Sequence, residues 1–432
     1  YALHPLLRAF ALAKLATAGE AHEAQEAHYA FFHQFVAAQL PRLQGAEQLS
    51  ALQELTVELD NIRAAWRFGA AHANAETLHP LLDGLARLFN ARSQYVLGIE
   101  VLGDDAALLA QRGLDDVTAL VLLHQGTFHY AQGNYEEARR LAQQGLHLAE
   151  AQGDERAIAL GLRLLGSIFY DDNHYDEAEA FWNRSLALFQ HQTDWEAAAD
   201  CYILLGNAAI LKNFFSPAGK KPYRPPRAFF YEHHQPTAAV RAGAEAAIAH
   251  FNEALRLHTQ SQNTAGIAYY WGVVGFAYYV LHNYEAAAAA YREAIARFSQ
   301  LDATDNLGQS HTWLAWVLTW QGKMEEARSH FHKALRLEMA GHAYKRALDC
   351  LQKYSLFLWV ADKQHFTPLV INTLVAGHPN TGTRMQVVAA EWASNITHFM
   401  RQDEGQAAVD EVQAYGRQQT LAGLVQHLLD SS

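Results

Sequence analysis

Small residues return every 40 positions along this chain, and that recurrence limits the possible folds more than any other feature. Gly126, Gly166 and Gly206 are each 40 apart, Gly275 follows 69 further on, and Ala315 another 40 on. Since 69 is one period plus 29, a single repeat carries an insertion and the phase otherwise holds. Other columns keep the same register. Tyr135, Tyr175, Tyr284 and Met324 share one phase, and Ala138, Ala178, Ala247, Ala287 and Ala327 another. Four residues on stand Ala142, Trp182, Phe251, Tyr291 and Phe331, and three beyond those Gly145, Ser185, Ala254, Ala294 and Ala334. Self-similarity at this period predicts one supersecondary unit stacked on copies of itself.

Composition decides what that unit is made of. Prolines number only 10, and half of them (Pro217, Pro222, Pro225, Pro226, Pro236) crowd into one stretch, which leaves the remainder free to be helical. With 50% hydrophobic and 18% charged residues a large core can be buried. A net charge of −12 disfavours nucleic acid as a partner. No apolar run is long enough to cross a bilayer. Cys201 and Cys350 lie far apart without metal-type spacing and read as reduced, buried thiols of a cytoplasmic protein.

The alternation of small, bulky and small residues resembles the tetratricopeptide pattern, W-x2-L-G-x2-Y…A-x3-F-x2-A. Its fullest copy is Trp271, Gly275, Tyr278, Tyr284, Ala287, Tyr291 and Ala294. The resemblance predicts an all-α, right-handed superhelix of about 40-residue helix pairs. Glycine or alanine lets helices A and B of a pair approach, and the aromatics fill the holes this leaves. Asp154, Asp194 and Asn263 share a phase just before each following helix A and read as N-caps. A weaker copy, with Ala86, Phe89 and Tyr95, precedes the series, and the register decays after Ala340. The segments are then 1–75, a helical linker; 76–345, the repeats, with the insertion at 212–241; and 346–432, further helices capping the stack.

The N-terminal segment contains His4-Pro5-Leu6-Leu7-Arg8, then Glu58-Leu59-Asp60-Asn61-Ile62-Arg63-Ala64-Ala65-Trp66. These resemble segments of the bacterial STAND ATPases (signal-transduction ATPases with numerous domains), of the maltose-regulon activator type. There the first ends a winged-helix domain and the second opens the linker to a tetratricopeptide sensor. The resemblance implies that 1–75 includes the end of such a domain. It also implies a repeat region that recognises an inducer, autoinhibits its own upstream ATPase module and releases it for multimerisation. Asp60, Asn61 and Arg63 would sit at the junction with that module, or form a solvated face with an i,i+3 ion pair. The chain opens at Tyr1 and reads as the back end of a longer protein. No G-x4-G-K-[ST] phosphate loop occurs, so ATP or ADP is expected only in the upstream module and no cofactor in this segment.

In a tetratricopeptide superhelix the A helices line the concave face. Counted from the small-residue column, the groove positions include Tyr130, Arg163, Tyr170, Asn207, Phe276, Tyr279, Trp316 and Trp320. Rigid aromatics are the usual anchors of binding surfaces, although capping helices could equally bury these as core. Read as an anchor, Trp316→Ala should weaken inducer binding and leave thermal stability nearly unchanged. Asn207 stands where peptide-binding relatives clamp backbone amides, but Ile203 replaces the accompanying lysine. Arg163 is a candidate anion partner, or pairs with a carboxylate such as Asp171.

The insertion concentrates Lys212, Lys220, Lys221, Arg224, Arg227 and Arg241 with Phe214, Phe215, Tyr223, Phe229, Phe230 and Tyr231 against one acid, Glu232. Lys220, Lys221, Arg224, Arg227, Phe229 and Tyr231 are its candidate contact residues, on a lid over the groove or on a passive surface loop. His124 and His129, His330 and His332, and His233 and His234 lack zinc spacing, so no metal is expected, and no catalytic constellation stands out. The sequence reads as a non-enzymatic sensor, monomeric when isolated, for a small-molecule or peptide inducer. The alternative is a scaffold that binds a protein or peptide partner without a small inducer.

Overall fold

In a computed structural model the chain is described over residues 5–45, 47–92, 94–103, 105–214, 236–301, 304–341, 343–361 and 366–379. Towards the C-terminus 389–390, 393–394, 396–398, 400–402 and 404–430 are described. The regular elements among the described residues are all helices. The first four, α1 (Pro5–Ala18), α2 (Ala21–Gln39), α3 (Gln48–Val57) and α4 (Leu59–His72), precede α5 (Ala75–Ala91), α6 (Tyr95–Leu102) and α7 (Asp105–Gln111). Antiparallel pairs follow: α8 (Asp115–Ala131) with α9 (Tyr135–Gln152), α10 (Glu155–Asp171) with α11 (Tyr175–His191), and α12 (Trp195–Phe214) with α13 (Ala238–Gln260). Next come α14 (Thr264–Val280) with α15 (Tyr284–Leu301), α16 (Thr304–Trp320) with α17 (Met324–Ala340), and α18 (Tyr344–Ala361) with α19 (Phe366–Gly377). Two helices, α20 (Gln406–Gln418) and α21 (Leu421–Asp430), end the chain. The architecture is an α-helical repeat solenoid.

The period has a direct structural origin. Helices α10 and α11 are 17 residues each, and three-residue turns (172–174 and 192–194) follow them, which makes one 40-residue unit. The turns between these helices that lie wholly within the described residues each pass through the left-handed region at one residue. In A-to-B turns these are Gly133 (φ 81°), Asn173 (φ 67°), His282 (φ 60°) and Gly322 (φ 75°). In B-to-A turns they are Gly153 (φ 69°), Thr193 (φ 59°) and Gln262 (φ 55°). The following N–H then reaches back to close the helix, as His174 N does to Phe169 O at 2.9 Å. Each next helix is capped as expected: Asp154 accepts from the Arg156 and Ala157 amides, Asp194 from Ala197, and Asn263 from Gly266.

The small-residue column is where the two helices of a pair meet. A Cβ on Gly166 would lie 2.5 Å from Trp182 Nε1, one on Gly206 2.4 Å from Phe251, and one on Gly275 3.1 Å from Tyr291. The aromatic of helix B thus rests on the glycine of its own helix A. In the first pair, where helix B offers only Ala142, Leu164 of the next helix A takes the place and lies 2.9 Å from a Gly126 Cβ. Trp182 is fully buried and donates its indole N–H to Arg163 O at 3.1 Å, so its polar edge is satisfied as well.

The N-terminal helices are fused to the stack. Ile62, Ala65 and Trp66 of α4 are buried in a cluster that runs from Tyr29 to Ala157. Trp66 Nε1 donates to Asp105 Oδ2 at 2.6 Å. Arg112 donates to the carbonyls of Ala70 and Ala73 at 2.7 and 2.6 Å, satisfying the open C-terminal end of α4. Helix α5 holds the A position one period before α8, and its B counterpart is broken into α6 and α7 around Gly103. Both cysteines are buried and free, and no helix among the described residues is long and apolar enough to cross a membrane.

One test follows from the glycine–aromatic contact. Gly166→Ala forces a methyl group into the Trp182 indole and is expected to cost about 1–3 kcal/mol. Calorimetry should show a lower melting temperature despite the gain in helix propensity; an unchanged or raised one would contradict the contact.

Candidate functional site

The A helices carry polar side chains that reach one another across several repeats, which requires the stack to curve with these helices on its inner wall. Arg87 of α5 donates to Glu196 of α12 at 2.9 Å, and Asn263 of α14 donates to the same carboxylate at 2.7 Å. Arg156 of α10 pairs with Asp83 of α5 at 2.9 Å, and Arg163 with Asp200 of α12 at 2.6 Å. Lys345 of α18 pairs with Asp171 of α10 at 2.7 Å. Burial raises the Glu196 carboxyl pKa above the ordinary carboxylate value, with Arg87 opposing the shift.

On this wall the structure brings four of the expected groove residues together. Tyr279 is the hub: its ring centre lies 6.3 Å from Phe276, 6.4 Å from Trp316 and 6.3 Å from Trp320. Trp313, which the positional count passed over, joins them at 4.9 Å from Phe276 and 6.1 Å from Tyr279. Burial pushes the Tyr279 hydroxyl well above the ordinary tyrosine range, partly offset by the indoles of Trp316 and Trp320 beside it. Phe276, Tyr279, Trp313 and Trp320 are partly exposed, so this is an aromatic surface with a buried floor.

The floor is Trp316. Only 7% exposed, it shares a hydrophobic cluster with Leu351, Tyr354 and Phe357 of α18. The expectation that Trp316→Ala leaves stability unchanged is therefore corrected, because the indole is buried. Tyr170 packs on Trp182 at 5.5 Å and on Tyr175 at 5.6 Å. Tyr130 meets Tyr135 edge to face at 5.8 Å, apart from the Tyr279 group. Arg163 takes Asp200 and not Asp171 as its partner.

Asn207 is half-buried on α12, and among the described residues its amide makes no hydrogen bond. Of the junction residues, Asp60 and Asn61 are exposed, with Asn61 bonded to Glu58 at 2.7 Å. Arg63 is tied to Glu100 of α6 at 3.1 Å and to Asp60 at 3.7 Å. Lys220, Lys221, Arg224, Arg227, Phe229 and Tyr231 lie outside the described residues. Lys212 belongs to the end of α12, where Asp176 and Glu179 hold it.

Comparison with known proteins bears on the fold. Residues 117–191 match the model of the tetratricopeptide repeat family. The search of curated proteins gives no match. Among solved structures the chain is similar to a Rap protein complexed with competence and sporulation factor, with TM-score 0.55 and 13% identity, covering 95% of this chain and 100% of that one. It is also similar to the Rap conjugation gene regulator of plasmid pLS20 in complex with the Phr* peptide (TM-score 0.48, 13% identity, 91% and 96% covered). A further structure is a STAND protein with a tetratricopeptide repeat sensor from Pyrococcus horikoshii (TM-score 0.48, 12% identity, 90% of this chain and 54% of that one). At these identities the likeness is one of fold. The repeat columns and the helix pairs define a tetratricopeptide-type solenoid.

Two outcomes are expected. Trp316→Ala should lose about 3–5 kcal/mol of stability as a large buried aromatic; a melting temperature within two degrees or so of wild type would return Trp316 to the surface. The second concerns pH. His124, facing Arg156, Arg163 and Arg87, has its pKa lowered to about 4, by burial first and with Asp83 opposing. His311, Nδ1 to Nδ1 at 2.7 Å from His330, is lowered to about 4 by burial and then by His330. Unfolded histidines titrate near 6.5, so between these values the unfolded chain binds more protons. Stability is complete above about pH 6.5 and is lost as pH falls towards 4. Calorimetry should show the melting temperature dropping over that window, and dropping less in the double variant H124Q/H311Q; equal slopes would contradict the assignment.

Proposed function

We propose that this chain is the inducer-recognition segment of a STAND-type ATPase, in which the solenoid binds a ligand on its inner wall and thereby governs an ATPase module. The observation that carries the reading is the partly exposed aromatic group around Tyr279 on the same wall as the unbonded amide of Asn207. Aromatics supply contact area at small entropic cost, and a lone amide supplies orientation. The order of the H-P-L-L-R and E-L-D-N-I-R-A-A-W segments before the repeats supports the ATPase assignment, as does the outward placement of Asp60 and Asn61. A ligand can drive such a switch only by binding one arrangement of the repeats better than another. The tetratricopeptide fold with a partly exposed aromatic wall also suits a scaffold for a protein or peptide, and the Rap structure solved with competence and sporulation factor is an instance of a bound factor in a similar fold.

Native mass spectrometry of the purified chain separates these. The sensor reading expects a retained small mass, with occupancy at least tenfold lower in Asn207→Ala. Because the Asn207 amide is unbonded, that variant should melt within about 0.5 kcal/mol of wild type. A chain that retains nothing small, and whose protein partner binds Asn207→Ala as well as wild type, would sink the reading.

A further inference from the structure

Lys345, in the first turn of α18, has surroundings unlike those of the other described lysines. Its Nζ lies 4.6 Å from the ring centre of Tyr130 on α8 and 5.0 Å from that of Tyr135 on α9. It donates to Asp171 Oδ2 at the end of α10 at 2.7 Å. The two rings meet edge to face at 77°. Asp171 is 8% exposed, and the lysine side chain keeps 29% of its surface. Lys353, eight residues further along α18, shows the contrast: it rests on Trp313 of α16 and pairs with Asp349 of its own helix. Lys345 instead joins residues from the first two clear repeats to the sixth, 174 positions beyond Asp171.

Two electron-rich rings and a carboxylate around one ammonium form a recognition set for ammonium groups in general. Here the acceptor half is complete without Lys345. Tyr130, Tyr135 and Asp171 come from three consecutive helices whose placement is fixed by the repeat, and the cation arrives from elsewhere on a long flexible stem. Burial works against the charge on Lys345, but Asp171 and the two tyrosines outweigh it and hold the ammonium well above the usual lysine range. The stem's residual exposure leaves it a route out to water.

We propose that Tyr130, Tyr135 and Asp171 form an ammonium-binding subsite of the inner wall, filled by Lys345 in the ligand-free chain and taken over by a ligand that carries a primary ammonium group. The proposal deepens the inducer-binding reading by naming the chemistry of one end of the ligand. A tethered competitor acts at an effective concentration of about millimolar, so a bare alkylammonium displaces Lys345 only in that range, and a real ligand needs further contacts. Displacement also unties the first repeats from the sixth.

The chain has nine lysines, few enough for selective labelling. Protein carrying 13Cε-lysine should show a methylene signal shifted upfield by the tyrosine rings, told from that of Lys353 over Trp313 by its loss in Lys345→Arg. Butylammonium chloride is titrated against potassium chloride at equal ionic strength, and tetra-alanine with a free N-terminus against its acetylated form. The expected result is movement of that signal to the unstacked lysine position with an ammonium carrier and not with potassium or the acetylated peptide. Which carrier acts at lower concentration tells a free amine from a peptide N-terminus. Lys345→Met, lacking the internal competitor, should bind butylammonium at least tenfold more tightly than wild type by calorimetry. A signal that stays put with every carrier, a Kd the same in both proteins, or a Lys345→Met chain that fails to fold each reduces the cluster to a structural ion pair. The groove reading is tested separately, since unchanged retention in Asn207→Ala removes it without touching the Lys345 signal.

Discussion

The contact of a B-helix aromatic on an A-helix glycine is the constraint from which the rest of this structure follows. Gly166 under Trp182 and Gly206 under Phe251 leave no room for a Cβ, and at Gly275 under Tyr291 one would be tight, so the two helices approach more closely than a larger residue allows. Repeated at a 40-residue interval, the same wedge sets the same angle between successive pairs, and equal angles accumulate into a curved stack. Curvature in turn decides which side chains can meet. Arg87 and Glu196 are 109 residues apart and Lys345 and Asp171 174 apart, yet each pair is within hydrogen-bond distance.

The inner wall that results has two characters. Towards α5, α10 and α12 it is a ladder of paired charges, Asp83 with Arg156, Arg87 with Glu196, and Arg163 with Asp200. Towards α14 and α16 it is aromatic, centred on Tyr279. Partly exposed pairs of this kind contribute little to stability individually, so the ladder serves mainly to fix which helices face one another. The aromatic part, with a buried indole beneath and partly open rings above, offers contact area without a large change in side-chain freedom.

Much of the fold was legible because period is a property of sequence alone. The helix pairs, the small-residue column and the caps Asp154, Asp194 and Asn263 follow from it. The left-handed turn positions were legible only where they are glycine; Asn173, Thr193, Gln262 and His282 occupy the same place with no glycine to mark it. The break of one B helix into α6 and α7 was hidden for the converse reason, since Tyr95 keeps the column while the helix after it does not. The site was read in part. Counting from the glycine column brought Phe276, Tyr279 and Trp320 to one surface, but it could not show that Trp316 is buried or that Trp313 joins the group. Nor could it pair Arg163 with Asp200 or Asp171 with Lys345, because partners across the solenoid are set by curvature and no local spacing encodes them.

A double-mutant cycle on the wedge itself tests the account most directly. Gly206→Ala and Phe251→Leu are each measured alone and together by reversible denaturation. If the aromatic rests on the glycine, the smaller leucine relieves the added methyl, and the double variant is more stable than the sum of the single losses by about 1 kcal/mol or more. Losses that add within about 0.5 kcal/mol would mean that the two positions do not touch, and the origin proposed for the curvature would be contradicted.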